Sequence, residues 1–409
     1  MPDAQPTTTG PADAATRAML ALVLTRGLGP KLIARAIEKC GSAAGVLGAS
    51  AATLGEVEGI SKKNAGKLKR AIDESAAPGG AAERELELSA KHHATVVSID
   101  SPGYPALLKS IPDAPPVLWV KGRLSADDAL SLAIVGSRKC SHYGREQADL
   151  IANGLAHSGV TVMSGGAYGI DIAAHEGALR AAKAGAAEAG GRTVAVLGSG
   201  LAKPYPSEHI EMLRGIVADG GACGAVVSEF PMLTEPRPEN FLRRNRIISG
   251  LSLGVLVVEA GKRSGALSTA RRCVDEHGRE LMALPGRVDS AYAFGCHQII
   301  REGWGQLVTG VSDILDVIGG ERSLLAAARE LSVSAQTGSS PPAKPAPPKP
   351  SLQASSQAQQ ILEMLEEPRS LDEITAWTGF PAGQVQGELT MLEIRGAVKR
   401  QGGLFVRRR

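Results

Sequence analysis

The basic segment Phe241-Leu-Arg-Arg-Asn-Arg-Ile-Ile-Ser-Gly250 leads into a very apolar strand, Gly254-Val-Leu-Val-Val-Glu259, and then into a glycine-rich turn, Ala260-Gly-Lys-Arg-Ser-Gly265. Between Glu239 and Arg272 the chain carries seven Lys or Arg residues and two Glu residues. The whole chain of 409 residues has a net charge of only +3. Because this local positive charge exceeds that of the entire chain, we expect an anion to bind near the strand.

The strand belongs to a series in which short apolar strands alternate with amphipathic helical segments between residues 132 and 318. Continuous apolar strands joined by helical crossovers are typical of a parallel sheet covered on both faces. The sequence therefore predicts an α/β, Rossmann-like parallel-sheet core whose ligand lies at the carboxyl ends of the strands. The predicted strands are Leu132–Val135, Val160–Met163, Thr193–Leu197, Ala225–Ser228, Val255–Val258, Glu280–Leu284 and Leu307–Val308.

Nearly every predicted strand ends in a turn of glycine or small polar residues, and such turns can offer free backbone N–H groups to a phosphate. One such turn is weak evidence, but six on one edge of a sheet, interleaved with cations, predict a site for a phosphate-bearing ligand. The turns are Gly136-Ser-Arg138, Ser164-Gly-Gly166, Gly198-Ser-Gly200, Glu229-Phe-Pro231, Ala260-Gly-Lys262 and Pro285-Gly-Arg287. The cations are Arg138, Lys203, Arg243, Arg244, Arg246, Lys262 and Arg263.

The N-terminal part of the chain divides into three predicted regions. Residues 1–13 are rich in Pro, Thr and Ala and are expected to be disordered. Residues 14–78 are expected to form a helical domain of the SAM or helix-hairpin-helix type, because Arg26–Ala34 and Val57–Ala65 resemble the glycine turn of that hairpin. A small helical bundle would need such turns in any case, so a DNA contact there stays open. Residues 79–320 are expected to form an extended Rossmann-like domain.

The C-terminal part changes in composition. Ser339–Pro350 contains six prolines, so residues 332–356 are predicted to be a semi-extended linker. Residues 357–409 are predicted to form a winged-helix domain with a capping box at Ser370-Leu-Asp-Glu373. Its third helix lacks the basic face that groove reading requires, which favours protein interaction or weak DNA binding. That helix carries Gln384, Gln386, Glu388, Thr390 and Glu393.

Composition excludes several classes of protein. The five cysteines are scattered, with no CxxC pair and no histidines at ligand spacing, so we expect reduced thiols and no metal site. No run of 18 apolar residues and no signal sequence are found, which favours a cytoplasmic protein with no membrane contact. Aromatic residues make up 3% of the chain, so a surface of many stacked bases is not expected.

The fingerprints of common nucleotide enzymes are missing from the sequence. The first turn reads Gly136-Ser-Arg-Lys-Cys-Ser141 instead of GxGxxG, and the second strand ends in Ser164-Gly-Gly166 instead of a carboxylate. The chain also has no GxxxxGK[ST] phosphate loop. We therefore expect neither bound NAD nor ATP hydrolysis, and no cofactor.

A nucleotide-processing hydrolase is the alternative function, because three carboxyl groups lie at or just after predicted strand ends and could act as acid and base. These are Asp171, Glu229 and Glu259. Ser264-Gly-Ala-Leu-Ser-Thr-Ala-Arg271 is similar to the signature of the phosphoribohydrolases, but Ala and Arg stand where the catalytic Glu is expected. In the non-catalytic interpretation Asp171 caps a helix, and at least one arginine of the cluster at 243–246 holds Glu229 or Glu259.

Several motifs together resemble the DNA-processing protein A family, DprA or Smf, over residues 80–318. They are Ile134-Val-Gly-Ser-Arg138, Ser164-Gly-Gly-Ala-Tyr-Gly-Ile-Asp171, Leu197-Gly-Ser-Gly-Leu201, Glu229-Phe-Pro231, Arg243-Arg-Asn-Arg-Ile-Ile-Ser-Gly250 and Ser264-Gly-Ala-Leu267. The resemblance implies a cytosolic protein that binds incoming single-stranded DNA during natural transformation and protects it from nucleases. It also implies a homodimer formed through the Rossmann-like domain, a role in loading the recombinase RecA, and no enzymatic step.

The same resemblance implies a set of DNA-binding residues. Arg138 and Lys203 correspond to phosphate-contacting positions. The turns would add backbone or hydroxyl hydrogen bonds from Gly136, Ser137, Ser164, Gly165, Gly166, Ser264 and Gly265. The electrostatic groove would be formed by Arg243, Arg244, Asn245, Arg246 and Lys262. The chain departs from the family pattern at Ala202, where Asp is usual, and at Ala266, where a bulkier residue is frequent.

Overall fold

The computed structural model describes residues 13–186 and 190–319, and in the C-terminal region residues 365, 369–378, 385, 389, 398–401 and 404–407. The chain divides into two compact units, Met1–Ser332 and Val333–Arg409. The predicted disordered start, except for residue 13, and the predicted linker lie outside the described residues, as do most of the first and third helices predicted for the winged-helix domain. None of the described helices is long and apolar enough to span a membrane.

Six helices form the first part of the larger unit. They are α1 (Ala14–Leu24), α2 (Pro30–Cys40), α3 (Ala43–Gly48), α4 (Ala51–Leu54), α5 (Lys62–Ala76) and α6 (Ala81–Lys91). Gly27 and Gly59 both adopt positive φ, +90° and +93°, two residues before the N-caps of α2 and α5. The two segments that resemble hairpin turns therefore share one backbone geometry, which glycine adopts without a steric penalty.

These helices share a hydrophobic core with the sheet that follows them. Met19, Leu20 and Leu22 of α1 are buried in the same apolar cluster as Trp119 and Leu197, which belong to two strands of the sheet. Burying a large apolar side chain contributes about 1.5–3 kcal/mol. The helical segment is thus held against the sheet by several such side chains, an arrangement that local sequence patterns do not reveal.

A nine-stranded mixed sheet forms the centre of this unit. Its strands are β1 (Ala94–Ser98), β2 (Val117–Gly122), β3 (Ser131–Val135), β4 (Thr161–Ser164), β5 (Thr193–Leu197), β6 (Gly224–Ser228), β7 (Gly254–Val257), β8 (Glu280–Ala283) and β9 (Gln306–Leu307). The strand order is β1-β2-β6-β5-β4-β3-β7-β8-β9. The strands from β3 to β9 are mutually parallel, which confirms the predicted Rossmann-like core. β1 and β2 add an antiparallel edge to it.

Helices cover both faces of the sheet. In β3, Leu132 and Ile134 pack into one apolar cluster while Ala133 and Val135 pack into another, as the two-residue period of a strand requires. Both sets are buried, so β3 is apolar along its whole length. The helices are α7 (Ala106–Lys109), α8 (His142–His157), α9 (Ile170–Lys183), α10 (Ile210–Gly221), α11 (Pro238–Gly250), α12 (Gly265–Asp275), α13 (Phe294–Arg301) and α14 (311–319).

The sheet has a topological switch point between β3 and β7. From β3 the chain proceeds through α8 to β4 on one side, whereas α11 later brings it from β6 to β7 on the other side of β3. The connections that leave β3 and β7 therefore diverge and open a crevice at the carboxyl ends of these strands. Ligands of open α/β sheets bind at such a crevice.

In the smaller unit, the described residues include one helix and one hairpin. α15 (Leu371–Thr378) begins at the predicted capping box: the Ser370 N–H donates to the Glu373 carboxylate at 2.8 Å, and the Glu373 N–H donates to the Ser370 hydroxyl at 3.3 Å. β10 (Val398–Gln401) pairs antiparallel with β11 (Leu404–Arg407). These elements are those predicted for a winged-helix domain.

Candidate functional site

A cavity of about 590 Å³ lies in the crevice between β3 and β7. Its walls are the turn after β3, one face of α11 and the loop that leads into α12. Five cations line it, together with a single carboxyl group, Asp171. The cations are Arg138, Lys139, Arg244, Lys262 and Arg263. A cavity with this excess of positive charge favours an anionic ligand.

The turn after β3 is held tightly by residues from two other elements. A Cβ atom on Gly136 would lie 2.5 Å from Ile170 Cγ1 and 2.9 Å from the Glu259 carbonyl oxygen, so only glycine fits. The Ser137 N–H donates to that carbonyl oxygen at 2.7 Å. The Glu259 carboxylate in turn accepts bonds from the Ser141 N–H at 2.8 Å and from its hydroxyl at 2.6 Å. Both ends of the turn are therefore fixed by Glu259.

This turn places Arg138 in the cavity beside an aromatic ring. The Arg138 guanidinium lies 5.1 Å from the centre of the Phe241 ring, within cation–π range. The centre of the Tyr205 ring lies 5.7 Å from that of the Phe241 ring. Tyr205 is 40% exposed. Phe241 thus contacts both the Arg138 guanidinium and the ring of Tyr205, which is two residues from Lys203 in the sequence.

Arg244 lies in the cavity lining but is buried, at 3% exposure. Its guanidinium donates to the Gly165 carbonyl oxygen at 2.6 Å and to that of Val196. A Cβ atom on Gly165 would lie 2.2 Å from Arg244 Nη1, so a side chain there would displace the Arg244 guanidinium. Burial lowers the pKa of Arg244 to about 10, while Asp171 opposes the shift, so the side chain is charged at neutral pH.

Arg243 and Arg246 are not in the cavity lining and share Glu229. The Arg246 guanidinium is buried and donates to Glu229 Oε2 at 2.6 Å, and it pairs with Asp113 at 3.1 Å. Arg243 is half exposed and donates to the same Glu229 oxygen at 3.0 Å. The prediction that at least one arginine of this cluster holds Glu229 or Glu259 is confirmed for Glu229.

The structure brings some of the predicted site residues together and separates others. Those lining the cavity are Gly136, Ser137, Arg138, Arg244, Asn245, Lys262, Ser264 and Gly265. Those outside the lining are Ser164, Gly165, Gly166, Lys203, Arg243 and Arg246. Lys203 is exposed and pairs with Glu235 at 3.2 Å. Ser164 is buried, and its hydroxyl donates to the Ile134 carbonyl oxygen at 2.7 Å.

Phe241 and Tyr205 are not among the site residues predicted from the sequence, because a low aromatic content argues against base stacking. Helical spacing could have identified Phe241. It precedes Arg244 by three positions, Asn245 by four and Ile248 by seven, and residues at these intervals share one helix face. All four residues line the cavity.

The carboxyl groups considered for hydrolysis are all held by protein groups. Glu259 is bound to Ser141, and Glu229 to two arginines, as described above. Asp171 is 7% exposed, and its burial raises the pKa of its carboxyl group while Arg244 opposes that shift. Asp171 is not the helix cap that the non-catalytic interpretation expected: the N-cap of α9 is Gly169, and Asp171 lies in the first turn, where the Ala167 N–H donates to it at 3.4 Å.

One group of potential metal ligands occurs among the described residues, although the sequence predicts no metal site. Atoms of Asp113, Glu276 and His277 lie within 4.8 Å of one another. Arg246 and Arg272 already pair with Asp113, at 3.1 and 3.8 Å. Because these guanidinium groups neutralise the carboxylates, we interpret the group as an ion-pair network.

The fold and the cavity define a class of protein: a Rossmann-like domain that lacks the dinucleotide fingerprint and carries a cation-lined cavity at the topological switch point. Comparison with known proteins identifies the family. It belongs to the DNA recombination-mediator protein A family, whose model matches residues 95–319. The model of the DprA winged-helix domain matches residues 341–403, which confirms the predicted winged helix.

Individual relatives agree with this assignment. The Smf protein of Synechocystis sp. is 33% identical over 95% of this chain and 98% of its own length. The Smf protein of Escherichia coli is 45% identical over 55% of this chain, and the match spans 56% of that relative's length. The X-ray structure of DprA from Streptococcus pneumoniae superposes with a TM-score of 0.62 at 30% identity, covering 75% of this chain and 98% of that one.

Proposed function

We propose that this protein binds single-stranded DNA at the cavity between β3 and β7 and acts in the cytoplasm as a recombination mediator. In this role it protects incoming DNA during natural transformation and loads RecA onto it. It works as a homodimer formed through the Rossmann-like domain, with no chemical step. The observation that carries the proposal is the cationic cavity in which Arg138 lies against Phe241.

The chemistry of the cavity supports a nucleic-acid strand as its ligand. Cations along a groove neutralise backbone phosphates and release counterions, which makes the affinity fall steeply with salt. Phe241 and Tyr205 offer faces on which bases can stack regardless of sequence. A flexible single strand can bring both its phosphates and its bases into a concave crevice, whereas a duplex keeps its bases paired.

The predicted site residues then fall into two roles. We assign DNA contact to the half-buried and exposed residues of the cavity lining and to two exposed cations outside it. These are Gly136, Ser137, Arg138, Asn245, Lys262, Ser264 and Gly265, with Lys203 and Arg243 outside the lining. The start of α12 adds the partial positive charge of a helix N-terminus, which favours a phosphate. We assign a positioning role to Arg244, Arg246, Ser164, Gly165 and Gly166, because they shape the turn and helix that carry the contact residues.

The experiment that tests the proposal is a titration of oligo-dT against the variant Arg138→Ala/Lys203→Ala. A charged hydrogen bond contributes about 1.5–3 kcal/mol. We expect the double variant to bind a single strand more weakly by about 3 kcal/mol or more. The matched control is Arg214→Ala, because Arg214 is exposed on α10 and pairs only locally, with Glu211. Unchanged affinity in the double variant would refute the site assignment.

A second candidate function is nucleotide hydrolysis, since a cavity of about 590 Å³ also fits a mononucleotide and contains the Asp171 carboxyl group. Incubation with nucleoside monophosphates, followed by a search for released base, separates the two functions. Release that disappears in Asp171→Asn or Glu259→Gln would favour the hydrolase. Single-strand binding without any release favours the recombination mediator.

A further inference from the structure

A second groove, of about 850 Å³, lies between α12 and α13 and adjoins the cavity. The two share Lys262, Arg263 and Ser264 in their linings, so one continues directly into the other. The charged groups that line the groove beyond these shared residues are Arg271, Arg272, Arg301, Asp275 and Glu276. Including the shared residues, five cations face two carboxylates, so the positive charge of the cavity extends along the groove.

Two aromatic rings also line the groove, and each lies against a cation. The Arg271 guanidinium lies 4.6 Å from the centre of the Trp304 ring, and the Lys262 ammonium 5.8 Å from that of Phe294. Phe294 is 39% exposed, and Arg271 is also exposed. A flat group from solvent can therefore stack on the Phe294 ring or on the Arg271 guanidinium plane.

The cations of the groove differ in whether protein carboxylates already neutralise them. Arg272 lies 3.8 Å from Asp113 and 3.7 Å from Glu276, so its charge is neutralised by these two carboxylates. Arg301 is 73% exposed, and among the described residues its one ion pair is with Glu302, at 3.7 Å. Exposed ion pairs of this kind contribute little and exchange readily for another anion. Arg271 and Arg301, with Lys262 and Arg263, are thus the cations available to a ligand.

Alternating cations and flat faces along a continuous groove are the features by which proteins bind single strands. We propose that the groove between α12 and α13 binds the nucleotides that follow those held in the cavity. Phosphates lie along Lys262, Arg263 and Arg301, and bases stack on Phe294 and on the Arg271–Trp304 pair. This inference rests on the proposed function of the cavity and adds the direction in which the strand leaves it, toward β8 and β9.

The test compares two lengths of oligo-dT. Known single-strand sites span about 4–16 nucleotides per domain, so strands of about 5 and about 20 nucleotides separate the cavity from the cavity plus the groove. For the unaltered protein we expect the longer strand to bind about tenfold more tightly or better. The variant Arg271→Ala/Arg301→Ala should keep its affinity for the short strand and lose most of this gain. Arg214→Ala is the matched control and should keep both.

Salt dependence and a conservative variant separate charge from stacking. The log–log salt slope falls by about 0.7 for each phosphate of a single strand that the protein no longer neutralises. The double variant should therefore show a smaller slope for the long strand only. Arg271→Lys keeps the charge but removes the planar surface. It should keep the slope and lose about fivefold or more in affinity for the long strand, because a base can no longer stack on the guanidinium plane.

Several outcomes would overturn the inference while leaving the proposed function intact. One is short-strand binding with no gain in the longer strand. Another is a double variant that binds the long strand as tightly as the unaltered protein. A third is a change of solution mass in the double variant with the length gain preserved, which would identify the groove as an interface between copies of the chain. Failure of the unaltered protein to bind the short strand would instead refute the proposed function.

Discussion

Arg138 and Arg244 both line the same cavity, yet their environments are opposite. Arg138 follows a strand end, lies beside the Phe241 ring and is exposed to solvent. Arg244 comes from α11, is 3% exposed and donates its hydrogen bonds to the carbonyl oxygens of Gly165 and Val196. The comparison shows that residue type alone does not define a contact residue. Burial and the partners already present decide whether a cation is available to a ligand.

A large effect on stability is expected at Arg246, whose guanidinium is buried against Glu229. Arg246→Ala removes a partner that lies 2.6 Å from the buried Glu229 carboxylate. Breaking a buried ion pair costs about 3–5 kcal/mol, because the remaining charge is left uncompensated. We expect the free energy of unfolding to fall by about this amount in urea denaturation.

Arg243→Ala is the matched control for that experiment, since Arg243 bonds the same Glu229 oxygen but is half exposed. It should cost less than about 1 kcal/mol, as exposed pairs do. Equal losses of stability in the two variants would contradict the distinction between buried and exposed arginines.

His175 provides a pH test of the same buried region. The ring is fully buried, its Nδ1 bonds the Thr193 hydroxyl at 2.7 Å, and burial with the nearby Arg244 lowers its pKa to about 3. The unfolded chain, with a His pKa near 6.5, binds the proton more readily than the folded protein. Stability should therefore be complete above pH 6.5 and decrease as pH falls toward 3, by about 2 kcal/mol at pH 5.

Urea denaturation at pH 7 and pH 5 measures this dependence. In His175→Gln the unfolding free energy should fall less between pH 7 and pH 5 than in the unaltered protein, because the contribution of His175 is removed. This holds whatever the stability of the variant at pH 7. Replacement of the exposed His157 should leave the difference as it is. An unaltered pH dependence in His175→Gln would show that other groups account for the loss.

Arg263 gives the smallest expected effect on stability, because it is exposed in the loop that leads into α12. Arg263→Ala should change the free energy of unfolding by less than about 0.5 kcal/mol. It should nevertheless lower the log–log salt slope of single-strand binding by about 0.7. A variant that destabilises the protein or leaves the slope unchanged would show that Arg263 is not a cation available to the ligand.

The strand and helix pattern was predictable because it depends on local residue order. The apolar runs that became β3 to β9 alternate with helical segments, and glycine turns follow the strands, so the parallel core and its ligand-bearing edge could be inferred without coordinates. The antiparallel edge formed by β1 and β2 was harder to predict from the sequence, since strand pairing depends on long-range contacts. Pairs such as Trp119 with Ser228 join strands that are more than 100 residues apart.

The composition of the site was also predictable in part. The motifs placed Arg138, Asn245 and Lys262 at one edge, and these residues do line one cavity. The contacts of Phe241 with Arg138 and Tyr205 were not predicted, because they join three separate segments. The only local indication in the sequence was the spacing of Phe241 from Arg244 and Asn245, which places the three residues on one face of a helix.

The sequence by itself determined the Rossmann-like core, the winged helix and the family, because these follow from periodicity and from motifs contiguous along the chain. Tertiary structure alone decided which arginines are free. Arg244 is buried because the Gly165 turn and β5 close over it, and Arg246 is paired because folding brings Glu229 and Asp113 to it. These partners are distant in sequence, so the availability of each charge is a property of the folded chain.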